Sequence, residues 1–183
     1  AGRAAACAWE AHGAGADRTV ISVLAETGGK ILIGGEFTHY DNSTVYRFTR
    51  LNNDGSRDSG FQSSITWNGD VRDIEFQPDG KFVIAGNFFW VNGAGYSGVA
   101  RFNADGTLDT TFATGFQTQI FTNPAEDVEI LPDGKIMLAG AMNIGSSPNN
   151  YGLVRLNASG TLDNTFTPVA KVHNIAKVVK AHP

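Results

Sequence analysis

One stretch of about eighteen residues occurs three times along the chain, and this fixes the class of fold before any single residue is considered. VRDIEFQPDGKFVIAGNF at 71–88 returns as AEDVEILPDGKIMLAGAM at 125–142 and, with more changes, as VISVLAETGGKILIGGEF at 20–37. The markers Lys30, Lys81 and Lys135 are offset by 51 and 54 residues. A second set, RLNNDGSRDSGF from Arg50, RFNADGTLDTTF from Arg101 and RLNASGTLDNTF from Arg155, keeps the same offsets. Two independent sets in one register mean a repeated structural unit, and a period of this length belongs to repeat architectures. The C-terminal AKVVKAHP aligns with VRDIEFQP and stops before its DGK. The series therefore predicts a cut from a longer chain: a connector over 1–19, units at 20–70, 71–124 and 125–175, and the start of a further unit at 176–183.

Each unit reads as short strands joined by specified turns, because β-branched and aromatic residues cluster in runs bounded by Gly, Pro, Asn and Asp. In the second unit the strands are expected at 71–76, 81–88 and 98–103, with a fourth, least defined, element beginning at Leu108 to Phe112. Asp79-Gly80 and Asp133-Gly134 follow a proline and give hairpin turns; Gly28-Gly29 can take the same backbone path. Gly34-Gly35, Ala85-Gly86 and Ala139-Gly140 place small residues in mid-strand, where another backbone comes close. About four antiparallel strands per unit fit propeller blades better than the shorter coils of a β-helix. The expected fold is all-β, a fragment of a larger β-propeller, with a stack of sheets lacking ring closure as the rival.

Composition agrees with this and narrows the function classes. Gly is 22 of 183 residues and charged residues are 17 %, which favours turns over long helices. A net charge of −4 argues against a nucleic-acid binder that works by phosphate neutralisation. No apolar run approaches the ~18 residues of a membrane span. The single Cys7 excludes an intrachain disulfide and a Cys-based zinc cage. Residues 1–16 are Ala-rich but lack the apolar core of a signal peptide.

Pro78-Asp79-Gly80-Lys81, followed at a fixed distance by Arg101-Phe102-Asn103-Ala104-Asp105-Gly106-Thr107-Leu108-Asp109-Thr110-Thr111-Phe112, resembles the delta-sixty repeat family of bacterial and phage proteins. The likeness covers 20–183 and departs at Gly28 and Ser159 for Asp, Arg57 for Leu and Met142 for Phe. Residues 1–16 lie outside it. The resemblance implies propeller-like folds in large, mostly extracellular or surface-associated proteins, with no catalytic activity.

Arg50, Arg101 and Arg155 are each followed eight residues later by an acid, Asp58, Asp109 and Asp163. A charge present in every unit at one place is more simply a structural device than a ligand site, here a charge-assisted hydrogen bond closing each blade. Lys30, Lys81 and Lys135 read as solvated charges guarding a strand end. Function is expected where the units differ, in THYDNSTVY (38–46), FWVNGAGYS (89–97) and NIGSSPNNY (143–151). Their Tyr40, Tyr46, Phe89, Trp90, Tyr96 and Tyr151, beside amides and hydroxyls, suit a surface glycan or protein receptor, or packing between blades.

Other motifs carry little. Gly93 to Gly98 satisfies G-x-G-x-x-G but precedes a strand rather than a helix, so nucleotide binding is rejected. No stretch has calcium-loop spacing, and His12, His39, His173 and His182 have no metal-ligand spacing; no cofactor and no metal are expected. Glu75, Glu126, Asp127 and Glu129 read as a solvated strand face, as do Lys171, Lys177 and Lys180. The leading expectation is a non-enzymatic repeat module of an extracellular assembly, a virion tail or fibre or a bacterial surface protein, displaying loops to a partner. A glycan-acting hydrolase or lyase with its site at the propeller centre is the second reading, and a purely architectural assembly protein the third.

Overall fold

The computed structural model describes residues 15–62, 69–91, 94–96, 98–112, 125–144, 150–170 and Lys180. Cys7, His12, His173, His182, Lys171, Lys177 and most of the 143–151 loop lie outside these residues. The described chain is all β, arranged as successive antiparallel sheets. The first blade contains β1 (Val20–Ala25), β2 (Ile31–Gly35), the small hairpin β3 (His39–Tyr40) and β4 (Ser43–Thr44), and β5 (Phe48–Leu51). The second repeats it as β6 (Val71–Phe76), β7 (Phe82–Gly86), hairpin β8 (Trp90–Val91) and β9 (Ala94–Gly95), and β10 (Val99–Phe102). The third has β11 (Ala125–Ile130), β12 (Ile136–Asn143), β13 (Asn150–Leu156) and β14 (Val169–Ala170).

Within each blade the strand order is the chain order: β1-β2-β5, β6-β7-β10 and β11-β12-β13-β14. Pairing is antiparallel throughout, so short turns suffice as connections. The Asp79-Gly80 and Asp133-Gly134 turns form as expected, with Gly80 and Gly134 in the left-handed region at φ 82° and 79°. Each Asp carboxylate accepts the amide of the following lysine at 3.1 Å. The fourth strand differs from expectation. The segment around Leu108 makes only an isolated bridge to Phe102, as Arg57 does to Leu51 and Leu162 to Leu156. The fourth strand described, β14, comes after this turn and pairs with β13.

A β-bulge recurs at one place in the first strand of every blade, between Val20 and Ser22, Val71 and Asp73, and Ala125 and Asp127. The mid-strand glycines lie opposite it. A Cβ on Gly86 would collide with the carbonyl oxygen of Asp70, and one on Gly35 with that of Thr19. The small residues are thus required by backbone approach within a blade.

The blades stack face to face on two apolar layers. Leu32, Phe48 and Phe61 of blade 1 pack with Val71, Ile74, Phe82, Ile84 and Phe102 of blade 2. Phe48 and Phe102 meet edge to face at 4.9 Å between ring centroids, a favoured aromatic geometry. Val83, Val99 and Phe112 of blade 2 pack with Val128, Ile136, Leu138, Val154 and Leu156 of blade 3. Strands repeating every 51 to 54 residues therefore bury alternate faces against neighbouring units, as a propeller requires. Replacing Gly86 by Val is expected to lower stability by about 1–3 kcal/mol through the forced shift of β6, read as a lower midpoint in urea unfolding with unchanged far-ultraviolet dichroism.

Candidate binding site

Two kinds of polar arrangement emerge, one repeated and one not. In the repeated one, the arginine Nε reaches Asp Oδ2 at 2.8 Å (Arg50–Asp58), 2.9 Å (Arg101–Asp109) and 2.8 Å (Arg155–Asp163). Lys30, Lys81 and Lys135 contact the same oxygens at 2.7, 2.7 and 3.0 Å. These lysines are members of the ion cluster, which corrects their reading as solvated guards. The other oxygen, Oδ1, accepts the backbone amide two residues on, from Gly60, Thr111 and Thr165, each at 3.0 Å. An aromatic ring closes the arrangement, with the guanidinium carbon 4.7 Å from the Phe61 and Phe112 ring centres and 4.9 Å from that of Phe166.

The third function of the arginine is to join blades. Arg50 donates to the carbonyl of Ala104 in blade 2 at 2.7 Å, and Arg101 to that of Ala158 in blade 3 at 2.8 Å. Each aspartate thus has its lone pairs filled by donors. The Lys30 ammonium holds Asp58 down at about 2, while hydrogen bonds hold Asp109 and Asp163 well below the usual carboxylate range despite burial. Among the described residues, both carboxylate oxygens of each of these aspartates accept from protein donors. Arg101→Ala is expected to destabilise the protein by about 1–3 kcal/mol, since it removes the bond to the Ala158 carbonyl and leaves Asp109 with Lys81 as its one cation; Arg101→Lys should recover only part of this in thermal unfolding, because one ammonium cannot span both partners.

A second cluster lies between the first strands of blades 2 and 3. Asp73 accepts the amide of Val128 at 3.0 Å and is 3.4 Å from the Ser22 hydroxyl, and its carboxyl hydrogen-bonds that of Asp127. Burial, with Asp127 beside it, pushes Asp73 up to about 6. Lys180 reaches Glu129 at 2.8 Å and Glu75 at 3.4 Å, while Glu126 pairs with Arg72. These acids are not a solvated outer face; they are the contact between inner strands. Asp73 binds its proton more tightly when folded than its ordinary 3.8, so its share of stability is present below about pH 4 and lost as pH rises through 6. Asp73→Asn, which keeps the donor and acceptor of the protonated acid, is expected to raise stability at pH 8 by on the order of 1–2 kcal/mol. In denaturant titrations the gain should vanish near pH 4.

The unrepeated arrangement is a cleft of about 380 Å³ at the junction of blades 1 and 2, lined by Arg18, Glu36, Arg47, Gly69, Asp70, Arg72 and Asn87. Glu36, Arg47 and Asn87 flank the small hairpins that follow β2 and β7, Arg18 precedes β1, and Gly69, Asp70 and Arg72 lie at the start of β6. Arg47 is the departure that marks it. The second unit has Gly98 at this place, with φ 77°, and Arg47 adopts φ 67° in its stead, a left-handed conformation that costs a non-glycine side chain free energy and clusters at functional sites. Its guanidinium donates to the Glu36 carbonyl. Arg72 pairs with Asp70 at 3.0 Å, whose other carboxylate oxygen is buried without a protein partner.

The aromatic candidates divide. Tyr46, Phe89 and Trp90 expose 41, 41 and 51 % of their surfaces, and in the chain they neighbour the cleft residues Arg47 and Asn87. Tyr96 does not belong with them: it is 3 % exposed and packs in the blade 1–blade 2 core. Its counterpart 51 residues earlier is Val45, also buried, and that alignment was the available signal. Tyr40 is half-buried and its hydroxyl donates to the Gly55 carbonyl at 2.8 Å; Tyr151 pairs with Met142 and packs on the blade 3 core. Asp17, before the expected first unit, accepts from the backbone amides and side chains of Thr38 and His39, tying the entering chain to the β3–β4 hairpin. Among the described residues no group of three His, Cys, Asp or Glu is placed to hold a metal, and no helix is long and apolar enough to cross a membrane.

A family model matches the chain at 29–61, 77–112 and 131–166, which together make up more than half of it. The chain belongs to the DUF5122 β-propeller family, described as a domain of unknown function. Each matched stretch runs from the turn before the second strand to the phenylalanine over the arginine, Phe61, Phe112 or Phe166, so the family pattern is the ion cluster and its frame. The cleft residues Arg18, Gly69, Asp70, Arg72 and Asn87 include members outside the matched stretches or at positions where the units differ. No curated protein matches the chain.

Proposed function

We propose that this chain is a non-enzymatic recognition module of the delta-sixty type, part of an extracellular, virion or cell-surface assembly, and that it binds a glycan at the cleft between blades 1 and 2. The observation that carries the reading is Arg47, held at positive φ on the rim of a polar cleft where the neighbouring unit uses glycine. Sugars are held by guanidinium, carboxylate and amide groups that fix hydroxyls and by aromatic faces that cover the ring. The cleft supplies the first from Arg18, Arg47, Glu36 and Asn87, and the exposed Tyr46, Phe89 and Trp90 stand next to it in the chain.

Two other readings have less support. An enzyme acting at the propeller centre would need free acids there, whereas Glu75 and Glu129 are taken up by Lys180, and Asp73 by Val128 and Asp127. A purely architectural part would have no use for a strained Arg47.

Arg47→Gly separates these cases. It relieves the left-handed strain, so the variant is expected to unfold at an equal or higher temperature while losing tenfold or more in affinity for a glycan selected on an array of acidic and neutral surface polysaccharides. Trp90→Ala should lower affinity similarly with an unchanged melting temperature. If the array yields no glycan ligand for the wild type, or if both variants bind as it does, the recognition reading fails.

A further inference from the structure

The charges in the cleft between blades 1 and 2 belong to that junction alone. Blade 1 contributes Arg18, Glu36 and Arg47, and blade 2 contributes Asp70 and Arg72. One unit further on, the places of the first three are held by Gly69, Asn87 and Gly98, and those of the last two by Pro124 and Glu126. Blade 2 builds the same strands, bulge and turn as blade 1 with its uncharged set. The frame therefore does not require Arg18, Glu36 and Arg47.

Two of these residues also stand apart in how they are paired. Arg57 aside, the other described lysines and arginines each have a carboxylate within 4.0 Å, and Arg18 and Arg47 have none. Of the 18 acids in the chain all but Glu10 are among the described residues. Arg72, in the same cleft, is taken up by Asp70 and Glu126. Arg47 is steered by one bond to the Glu36 carbonyl, which leaves most of its N–H groups unused. Arg18 is exposed just before β1.

Two guanidinium groups lining one cleft of about 380 Å³ without acids of their own make a seat for an anion. The planar fork of each matches the two oxygens of a carboxylate. Three arginines against Glu36 and Asp70 leave one positive charge in the lining, which suits a singly charged group. A phosphate monoester, with about two negative charges, would be repelled by Glu36. A sulfate ester spreads its single charge over three weaker acceptors. We propose that the ligand of this cleft is an acidic glycan bearing a carboxylate on the sugar, of the uronic acid class. The carboxylate sits between Arg18 and Arg47, and neighbouring hydroxyls meet Glu36 and Asn87. This inference rests on the reading of the cleft as a glycan site and names the class of sugar that it takes. The chain carries a net charge of −4, so the attraction is local to the cleft and is screened by salt.

The test is calorimetric titration of the chain with oligomers of polygalacturonate, alginate and hyaluronan. Each is compared with the same oligomer after reduction of its carboxyl groups to alcohols, and with a sulfated galactan and a neutral glucan. A carboxylated oligomer is expected to bind, and its reduction to weaken binding by about tenfold or more. Arg18→Gln should cost as much for the carboxylated oligomer and nothing for the reduced one, with an unchanged melting temperature. If a reduced, neutral or sulfated glycan binds as tightly as the carboxylated ones, or if Arg18→Gln weakens both forms alike, the carboxylate seat is overturned while the cleft stays a glycan site. If none of the oligomers binds, this inference and the recognition reading fall together.

Discussion

The arginine on β5, β10 or β13 of each repeat holds an aspartate eight residues on and a phenylalanine three residues beyond that, and in the first two repeats it also holds the backbone of the next blade. Everything else in the unit is arranged to keep it dry and oriented. The aspartate is fixed by the amide two residues later and by the lysine from the hairpin turn, so the charge has no freedom to seek water. A buried ion pair gains little net free energy unless every donor and acceptor around it is satisfied. Here they are, and what the cluster adds is the angle at which one blade meets the next.

That requirement explains why the repeat was readable and where it was not. Lys81, Arg101, Asp109 and Phe112 lie far apart in sequence but recur with fixed offsets, and the period alone reported that they belong together. The strand boundaries near 71–76 and 99–102 and the Asp-Gly turns followed from local chemistry. The inter-blade hydrogen bond was not legible, because its acceptor is a main-chain carbonyl and leaves no trace in side-chain identity. The lysines were misread for a related reason: a strand-end charge looks solvated until the fold brings Asp58, Asp109 or Asp163 beside it. The fourth strand was misplaced because Leu108 to Phe112 carries strand-like residues whose positions are set by the ion cluster instead.

The candidate site followed the opposite logic. Aromatic residues in the variable loops could be found from composition, but composition does not say which side of a two-residue hairpin faces the core. Trp90 is exposed and Val91 beside it is fully buried, as alternation in a strand dictates. Tyr96 fell on the inward side of the same hairpin. Arg47 was hidden for a different reason: its importance lies in a dihedral angle and in the glycine its sister repeat has at that place. The acids between the first strands were hidden as well, since Asp73 is buried beside Asp127, and its carboxyl pushed upward, only when two first strands from different units come together.

The use of a backbone carbonyl as the acceptor between blades gives the array a direction. The donor of each contact is an arginine that can be lost by one substitution, whereas its acceptor survives any replacement of Ala104 or Ala158 that keeps the turn. A unit is therefore constrained by what it must reach for and tolerant in how it is held. Lineages of such repeats can drift in their turn residues, exchange units, or gain new ones at the end of the series, and each newcomer is gripped by its predecessor without having to match it.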